Sequence, residues 1–515
     1  MTGTADVLLS EAAPSHLDRW AARVRASAVR SRRIDVLAPV LVTLLAGILR
    51  LWNLGHPHAL VFDETYYVKD AWSQWVLGFP ANWPSDADAG FITGKTDAFL
   101  STGSFVVHPP LGKWIIGVGM WAFGPDSSTG WRISAALLGT ATVLLVYLLA
   151  HRLTRSTVFA AVAGLLMAVS GLGIVLSRVS LLDIFLTFFS VLAFLFAVLD
   201  RQRHLDRLSR LGLRTLWGRP WLVAAGTAAG AATAVKWSGL YVLAGLGLYV
   251  VITDALARRR AGAPMWPWDA LRQGLASFVL FVPVALAVYL ASWAGWFATD
   301  GGYDRHAADV SPATGVFAWV PLPLQSLWIY HEAIYAFNVG LSTPHSYASP
   351  AWQWPLLIRP TSMYWHQDQV GQAGCTWAGS CVQSISSIPN PFMWWGGMAA
   401  IVYLVVAFVL RRNWRHAVVL LGVGSAYLPW LMFPDRTIFQ FYTIAIAPFA
   451  VLALTFALRD IAAGHGRIRR LAGQRIVWIY LAVVVALSAL WYPVWVGMPV
   501  PYWFWLLHNW VPTWI

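Results

Sequence analysis

The sequence predicts an all-α polytopic membrane protein with about eleven transmembrane helices, and three observations carry that prediction. Apolar runs near the roughly 20 residues that a bilayer-crossing helix needs recur along the chain. The composition is 58% hydrophobic and only 11% charged. Arginines gather in clusters between the apolar runs rather than being spread along them.

The candidate spans are 35–54, 131–150, 157–175, 181–199, 220–236, 238–253, 273–293, 392–410, 417–433, 437–458 and 476–496. The segments 1–34, 151–156, 200–219, 254–272, 411–416 and 459–475 hold 26 of the 36 Lys plus Arg, and they share one side once the spans alternate. By the positive-inside rule that side is the cytoplasm, with the amino terminus inside and the carboxy terminus outside. The same rule accounts for most of the net charge of +13, so nucleic acid is not expected as a partner.

The first apolar run follows Arg19, Arg23, Arg25, Arg30, Arg32 and Arg33, as in a signal peptide. It is longer than an h-region of about 7 to 15 residues and no small-residue cleavage site follows it, so it reads as an uncleaved span. Trp114 to Phe123 is too short to cross and reads as a re-entrant or interfacial helix. No repeat of 20 to 50 residues and no low-complexity linker divides the chain. The expected organisation is a cytoplasmic tail, 1–34, and one integral membrane domain, 35–515, with two long outer segments at about 55–130 and 294–391.

All four lysines (Lys69, Lys95, Lys113 and Lys236) fall on the outer side or at its boundary, against the charge rule. Arg178, Asp183, Lys236 and Arg436 lie at outer helix ends, where an ionisable group is costly unless it pairs or lines a hydrated cavity. Structural readings stand beside the functional one. Asp183 can neutralise Arg178, Lys236 can snorkel to the interface, and Arg436 can pair with Asp435.

In "VFDETYYVKDAW", Asp63 and Glu64 are adjacent and cannot neutralise each other. Two carboxylates in a partly desolvated site raise the pKa of one, which suits general acid or base work. The alternative is a helix start, where acidic residues meet the macrodipole favourably. In "VVHPPLGKW", two prolines force an extended turn after His108, and Lys113 serves either as an interfacial anchor or as a phosphate ligand.

"HSYASPAWQWPLLIRPTSMYW" interleaves Trp and Tyr with His345, Ser349, Gln353 and Arg359. Such a segment fits an interfacial aromatic belt and also fits stacking on sugar rings. Cys375 and Cys381 fall in the same outer segment, where an oxidising compartment favours a disulfide. A metal site would want more His or Cys than "CTWAGSC" supplies.

Together "FDETYYVKDAW", "HPPLGK", "SRVSLLDIFLTFF", "VKWSGLY" and "HSYASPAWQWP" resemble the protein O-mannosyltransferases, in particular their bacterial branch, from about residue 35 to the end. The resemblance implies a C-type membrane glycosyltransferase fold with an extracytoplasmic active site in the bacterial plasma membrane. It also implies a polyprenyl-phosphate mannose donor. It assigns catalysis to Asp63 and acceptor positioning to Glu64, and it matches Arg178, His108 and Lys113 to family segments. The 294–391 segment is too short for the β-rich insert of eukaryotic members, so their heterodimer habits do not carry over.

A sugar on a lipid phosphate has a good leaving group, so cations suffice to stabilise its departure; Arg178, Lys236, Lys113 and Arg436 are the candidates, with His108 and His345 completing the donor site. The acceptor Ser or Thr hydroxyl needs a general base, which is Asp63. One base and an in-line attack imply an inverting transfer, and because cationic side chains can stabilise the leaving phosphate, no metal or cofactor is expected. The expected partners are the lipid-linked donor, a Ser/Thr-bearing polypeptide and the bilayer, with the secretion machinery as a family-based possibility. Rival readings are a related lipid-linked-sugar transferase acting on a lipid or polysaccharide, and a membrane transporter or flippase; the latter predicts midplane charges and inverted repeats.

Overall fold

A computed structural model describes residues 26–211, 215–372, 375–377, 379–464 and 466–515. Most of the expected cytoplasmic tail, 1–25, lies outside these residues. The first helix, α1 (Ala28–Leu51), begins inside the stretch assigned to that tail. The labelled helices that follow are α2 (Glu64–Leu77), α3 (Leu111–Phe123), α4 (Ser128–Thr154), α5 (Thr157–Ala168), α6 (Gly171–Arg178), α7 (Asp183–Leu211) and α8 (Pro220–Val235). The chain continues through α9 (Gly239–Arg260), α10 (Trp266–Ser292), α11 (Leu322–Gly340), α12 (Pro391–Arg411), α13 (Trp414–Tyr427), α14 (Ala447–Ala462) and α15 (Arg467–Trp495).

Among the described residues, seven helices are long and apolar enough to cross a membrane, and the pair α5 and α6, bent by 56°, makes an eighth when taken as one span. The other expected spans, 220–236, 417–433 and 437–458, contain the shorter helices α8, α13 and α14, the last two flanked by 3-10 turns at Leu428–Met432 and Gln440–Ala445. Length alone therefore does not reach the expected eleven. At 13 residues, α3 is about 20 Å long, too short to span.

Local chemistry starts these helices where the sequence turns. Ser127, Ser156 and Ser170 cap α4, α5 and α6, each accepting a hydrogen bond from the backbone N–H three residues on. Ser170 also marks the bend between α5 and α6.

Helix α8 is rich in small residues, and its Gly226 and Gly230 stand four apart. A Cβ on either would lie 2.6 Å from Phe281 O or 2.5 Å from Ala285 O of α10. Small residues let two membrane helices approach to backbone contact. That contact fixes the end of α8, and the residue at that end is Lys236.

At the arginine-rich ends of α7, α9 and α10 a buried polar brace ties the helices together. Arg219 pairs with Asp200 of α7 and, at 2.6 Å, with Asp254 of α9, and it donates to Ser277 of α10 at 2.9 Å. Such a brace holds because each charge has both a counter-charge and hydrogen bonds.

A small antiparallel sheet, unforeseen in an all-α reading, occupies the second outer segment. Its order is β1 (Ser362–Gln369), β2 (Ser380–Ser386) and β3 (Val500–Pro501), so the chain end returns to pair with the hairpin. Strand β2 is largely buried on both faces, which removes the polar alternation that would have marked it. Within the hairpin the Sγ atoms of Cys375 and Cys381 are bonded, with 5.7 Å between Cα atoms.

Replacing Gly230 by Val should drive α8 and α10 apart, since the obstructing atoms are backbone. The expected cost is about 1 to 3 kcal/mol, read as a lower Tm in detergent, with Gly274→Ala, whose Cβ would meet Val251 at an ordinary 3.8 Å, as a control that leaves Tm unchanged.

Candidate active site

The first outer segment leaves α1 as a short irregular loop, and two arginines from other helices gather its carbonyls. Arg178, the last residue of α6, donates to Arg50 O (3.0 Å), Trp52 O (2.6 Å) and Asn53 O (3.0 Å). Arg132, in the first turns of α4, donates to Pro57 O and Ala59 O, both at 2.8 Å. It also makes a bidentate pair with Glu64, Nε to Oε1 and Nη2 to Oε2, both 2.8 Å.

Glu64 and Arg132 are both fully buried. The Glu64 carboxylate accepts two further bonds, from the N–H of Val61 and the N–H of Ser180, each 2.8 Å. Its oxygens are thus spent on anchoring the loop and leave no surface for an acceptor to touch, contrary to the acceptor-binding role expected for it. Arg178 is likewise occupied by carbonyls and is not among the residues that line the large cavity bordered by Lys236; nor does it pair with Asp183.

Asp63 occupies the N-cap position of α2, yet its side chain makes no capping hydrogen bond to the helix. The preceding residue, Phe62, has φ +52°, an uncommon conformation for a bulky side chain. Burial pushes the Asp63 carboxyl up to about 6, with the Lys236 charge opposing and the Asp183 charge reinforcing the rise. A carboxylate in that range is poised to take a proton near neutral pH.

Lys236 caps the C-terminus of α8 and is 6% exposed, so it does not snorkel. Its Nζ lies 3.0 and 3.1 Å from the two carboxylate oxygens of Asp183, the first residue of α7, and 4.4 Å from the Tyr442 ring centroid. Arg436 donates to Asn338 Oδ1 at 2.6 Å and sits 5.5 Å from the Trp430 ring centroid, with its Nε buried and unpartnered. Its partner is Asn338 of α11 rather than neighbouring Asp435.

Lys236, Asn338, Trp430, Arg436 and Tyr442 border a cavity of about 840 Å³. Its polar end carries His108, Lys236, Asn338, Arg436 and Tyr442, and its remaining wall is dominated by apolar and aromatic side chains, among them Leu243, Val282, Leu286, Trp328 and Tyr335. Burial and the nearby cations Lys236, Lys113 and Arg436 hold His108 well below the usual histidine range, so its ring is neutral.

Lys113 lies behind the cavity wall. It is 1% exposed, stands 3.8 Å from Asp70 and donates to His108 O at 3.3 Å, so it supports the His108 turn instead of facing a ligand. His345 is exposed and packs on Phe62 and Phe439, outside the cavity lining.

Sequence reasoning passed over several contributors. Arg132 carried a legible signal, an arginine just inside an outer helix end, of the same kind that singled out Arg178. Tyr442, Asn338 and the chain from Trp237 Nε1 to Tyr289 OH (3.0 Å) and on to His331 Nε2 (2.5 Å) gave none, because their meaning lies in which residues meet.

The described architecture is that of a multi-pass membrane protein with a lipid-sized cavity at one end of the bundle, and its fold matches a solved glycosyltransferase. The Saccharomyces cerevisiae protein O-mannosyltransferase Pmt1-Pmt2 complex, solved with its sugar donor, superimposes with a TM-score of 0.72 over 93% of this chain and 92% of that one, at 17% identity. The profile of the dolichyl-phosphate-mannose-protein mannosyltransferases matches residues 100–296, and that of the C-terminal four-helix region of protein O-mannosyltransferase matches 323–514. Polyprenol-phosphate-mannose–protein mannosyltransferase of Mycobacterium tuberculosis is 37% identical, covering 92% of this chain and 91% of its own length. The enzyme of that name from Corynebacterium glutamicum is 30% identical over 94% of each. The chain belongs to the protein O-mannosyltransferase family.

Two outcomes follow from this geometry. Arg132→Met should cost about 3 to 5 kcal/mol by stranding the Glu64 charge, seen as loss of folded protein in detergent, and Arg132→Met with Glu64→Leu should recover part of the yield. Protonation of Asp63 removes a base, so kcat/KM should fall as pH drops through about 6. Lys236→Gln, which removes the charge that favours the carboxylate, should move that limb to higher pH.

Proposed function

We propose that the protein transfers mannose from polyprenyl-phosphate mannose to Ser or Thr hydroxyls of polypeptides, with inversion at the anomeric carbon. The observation that carries this reading is an unspent carboxylate, Asp63, half-buried within electrostatic reach of Lys236, which lines a largely apolar cavity together with His108 and Arg436. The names of the mycobacterial and corynebacterial relatives support the choice of sugar and acceptor.

In this scheme the prenyl chain lies along the apolar wall and the phosphate meets Lys236 and Arg436, with neutral His108 beside them. The acceptor hydroxyl attacks the anomeric carbon as its proton passes to Asp63; a new C–O bond forms, the bond to phosphate breaks, and polyprenyl phosphate leaves with its charge offset by the two cations. Asp63 then returns its proton to solvent. The chemistry asked of the site is met by side chains, so no metal or cofactor enters the scheme.

The arginine distribution supports an orientation with the site on the extracytoplasmic face of a bacterial plasma membrane, the amino terminus inside and the carboxy terminus outside. Polypeptides emerging from the secretion machinery are the corresponding acceptors.

Asp63→Asn should lower transfer from synthetic polyprenyl-phosphate mannose to a Thr peptide by about 10²- to 10⁴-fold while the protein remains folded by circular dichroism. NMR of the glycopeptide should show the anomeric configuration inverted; near-normal turnover of the variant, or retention, would overturn the scheme.

A further inference from the structure

The donor cavity leaves one side of Asp63 unexplained. Tyr442 forms part of the cavity wall, and behind it stand Phe441, at 4.8 Å between ring centroids, and Phe439, at 6.1 Å. Phe62 then meets Phe439 and Phe441 edge-on, each at 5.6 Å. His345 completes the set, 4.9 Å from Phe439 and 6.1 Å from Phe62, both near perpendicular. Of these rings only Tyr442 borders the cavity, and His345 is exposed.

This cluster is held in place from both sides. The strand-like stretch 341–349, which carries His345, is bonded to 437–438 through Thr437 N to Leu341 O (3.0 Å) and Ser349 N to Ile438 O (2.8 Å). Arg359 donates to Ser346 O at 3.0 Å and lies 4.7 Å from the Tyr347 ring centroid. His345 Nδ1 accepts from Tyr347 N at 3.0 Å, so the ring proton of the neutral form sits on Nε2 as a donor.

The uncommon φ of Phe62 has its explanation here. Residues held in sparsely populated conformations persist where their surroundings over-determine them, and they gather at working sites. Packing of the Phe62 ring on Phe439 and Phe441 fixes the turn that presents Asp63, and exposed His345 lies against its outer edge.

We propose that Phe62, His345 and Phe439 form an acceptor subsite that takes an apolar side chain flanking the target Ser or Thr. The inference rests on the function proposed above. The donor occupies the cavity lined by Lys236 and Tyr442, whereas Phe62, the neighbour of Asp63, and Phe439 and His345 lie outside that lining. The nucleophile must approach the anomeric carbon from the side away from the leaving phosphate for in-line transfer. Outside the lining the structure offers aromatic edges and one N–H, a combination that holds an apolar side chain and a neighbouring peptide carbonyl. No carboxylate or cation of the cluster competes for a charged residue.

The test uses the full-length protein in detergent, polyprenyl-phosphate mannose, and Thr peptides that differ only in Val or Gly at the residue before or after Thr. The wild type should favour a Val peptide by about tenfold in kcat/KM. In His345→Ala that preference should shrink toward unity through the peptide KM, with kcat and the donor KM unchanged, and His345→Phe should restore most of it. Fluorescence anisotropy of the same peptides without donor should show the same loss in His345→Ala. Unchanged Val over Gly preference in His345→Ala, or a rise in donor KM in place of peptide KM, overturns the subsite. Peptide binding that depends on His345 with no mannose transferred would sustain the subsite and overturn the proposed reaction.

Discussion

The buried pair of Glu64 with Arg132 is the contact on which the outer site depends. A carboxylate and a guanidinium removed from water are costly unless every hydrogen-bonding position is filled. Here Arg132 fills its donors with Glu64 and loop carbonyls, while Glu64 fills its acceptors with Arg132 and two backbone amides. The reward is positional. An irregular loop between α1 and α2 is pinned to α4 and to the turn before α7, and the carboxylate of the preceding residue, Asp63, is thereby left free of structural duty.

That division of labour explains why two adjacent acidic residues behave so differently. Glu64 points into the bundle and is neutralised by Arg132, 68 residues away in the sequence and in a different element. Asp63 has only the more distant influence of Lys236, itself already engaged by Asp183, so desolvation outweighs attraction and the carboxyl titrates near neutrality. A lysine paired with Asp183 keeps a positive charge at the cavity without locking Asp63 into a salt bridge.

The two ends of the bundle use charge in opposite ways. At the arginine-rich end Arg219, Asp200 and Asp254 neutralise one another within a closed brace that ties three helices. At the outer end Arg436 retains a buried unpartnered Nε and Lys236 faces a cavity, so cationic capacity remains for an anion. Helix contacts as tight as those at Gly226 and Gly230 carry that outer geometry, because a shift of α8 against α10 moves Lys236 directly.

By itself the sequence determined the helical membrane architecture, its arginine asymmetry and the family, because hydropathy and charge are properties of short windows. It also singled out Asp63, Lys236, His108 and Arg436, which violate local rules in ways that burial explains. Only tertiary structure decided the partners: Asp183 with Lys236 instead of Arg178, Glu64 with Arg132, Lys113 behind the wall, and His345 against Phe62 and Phe439 outside the cavity lining. Those choices depend on which helix ends meet across long sequence separations, and no window of sequence carries that distance. The sheet from 362 to 386 was hidden for a related reason, since a strand buried on both faces loses the alternation by which strands are read.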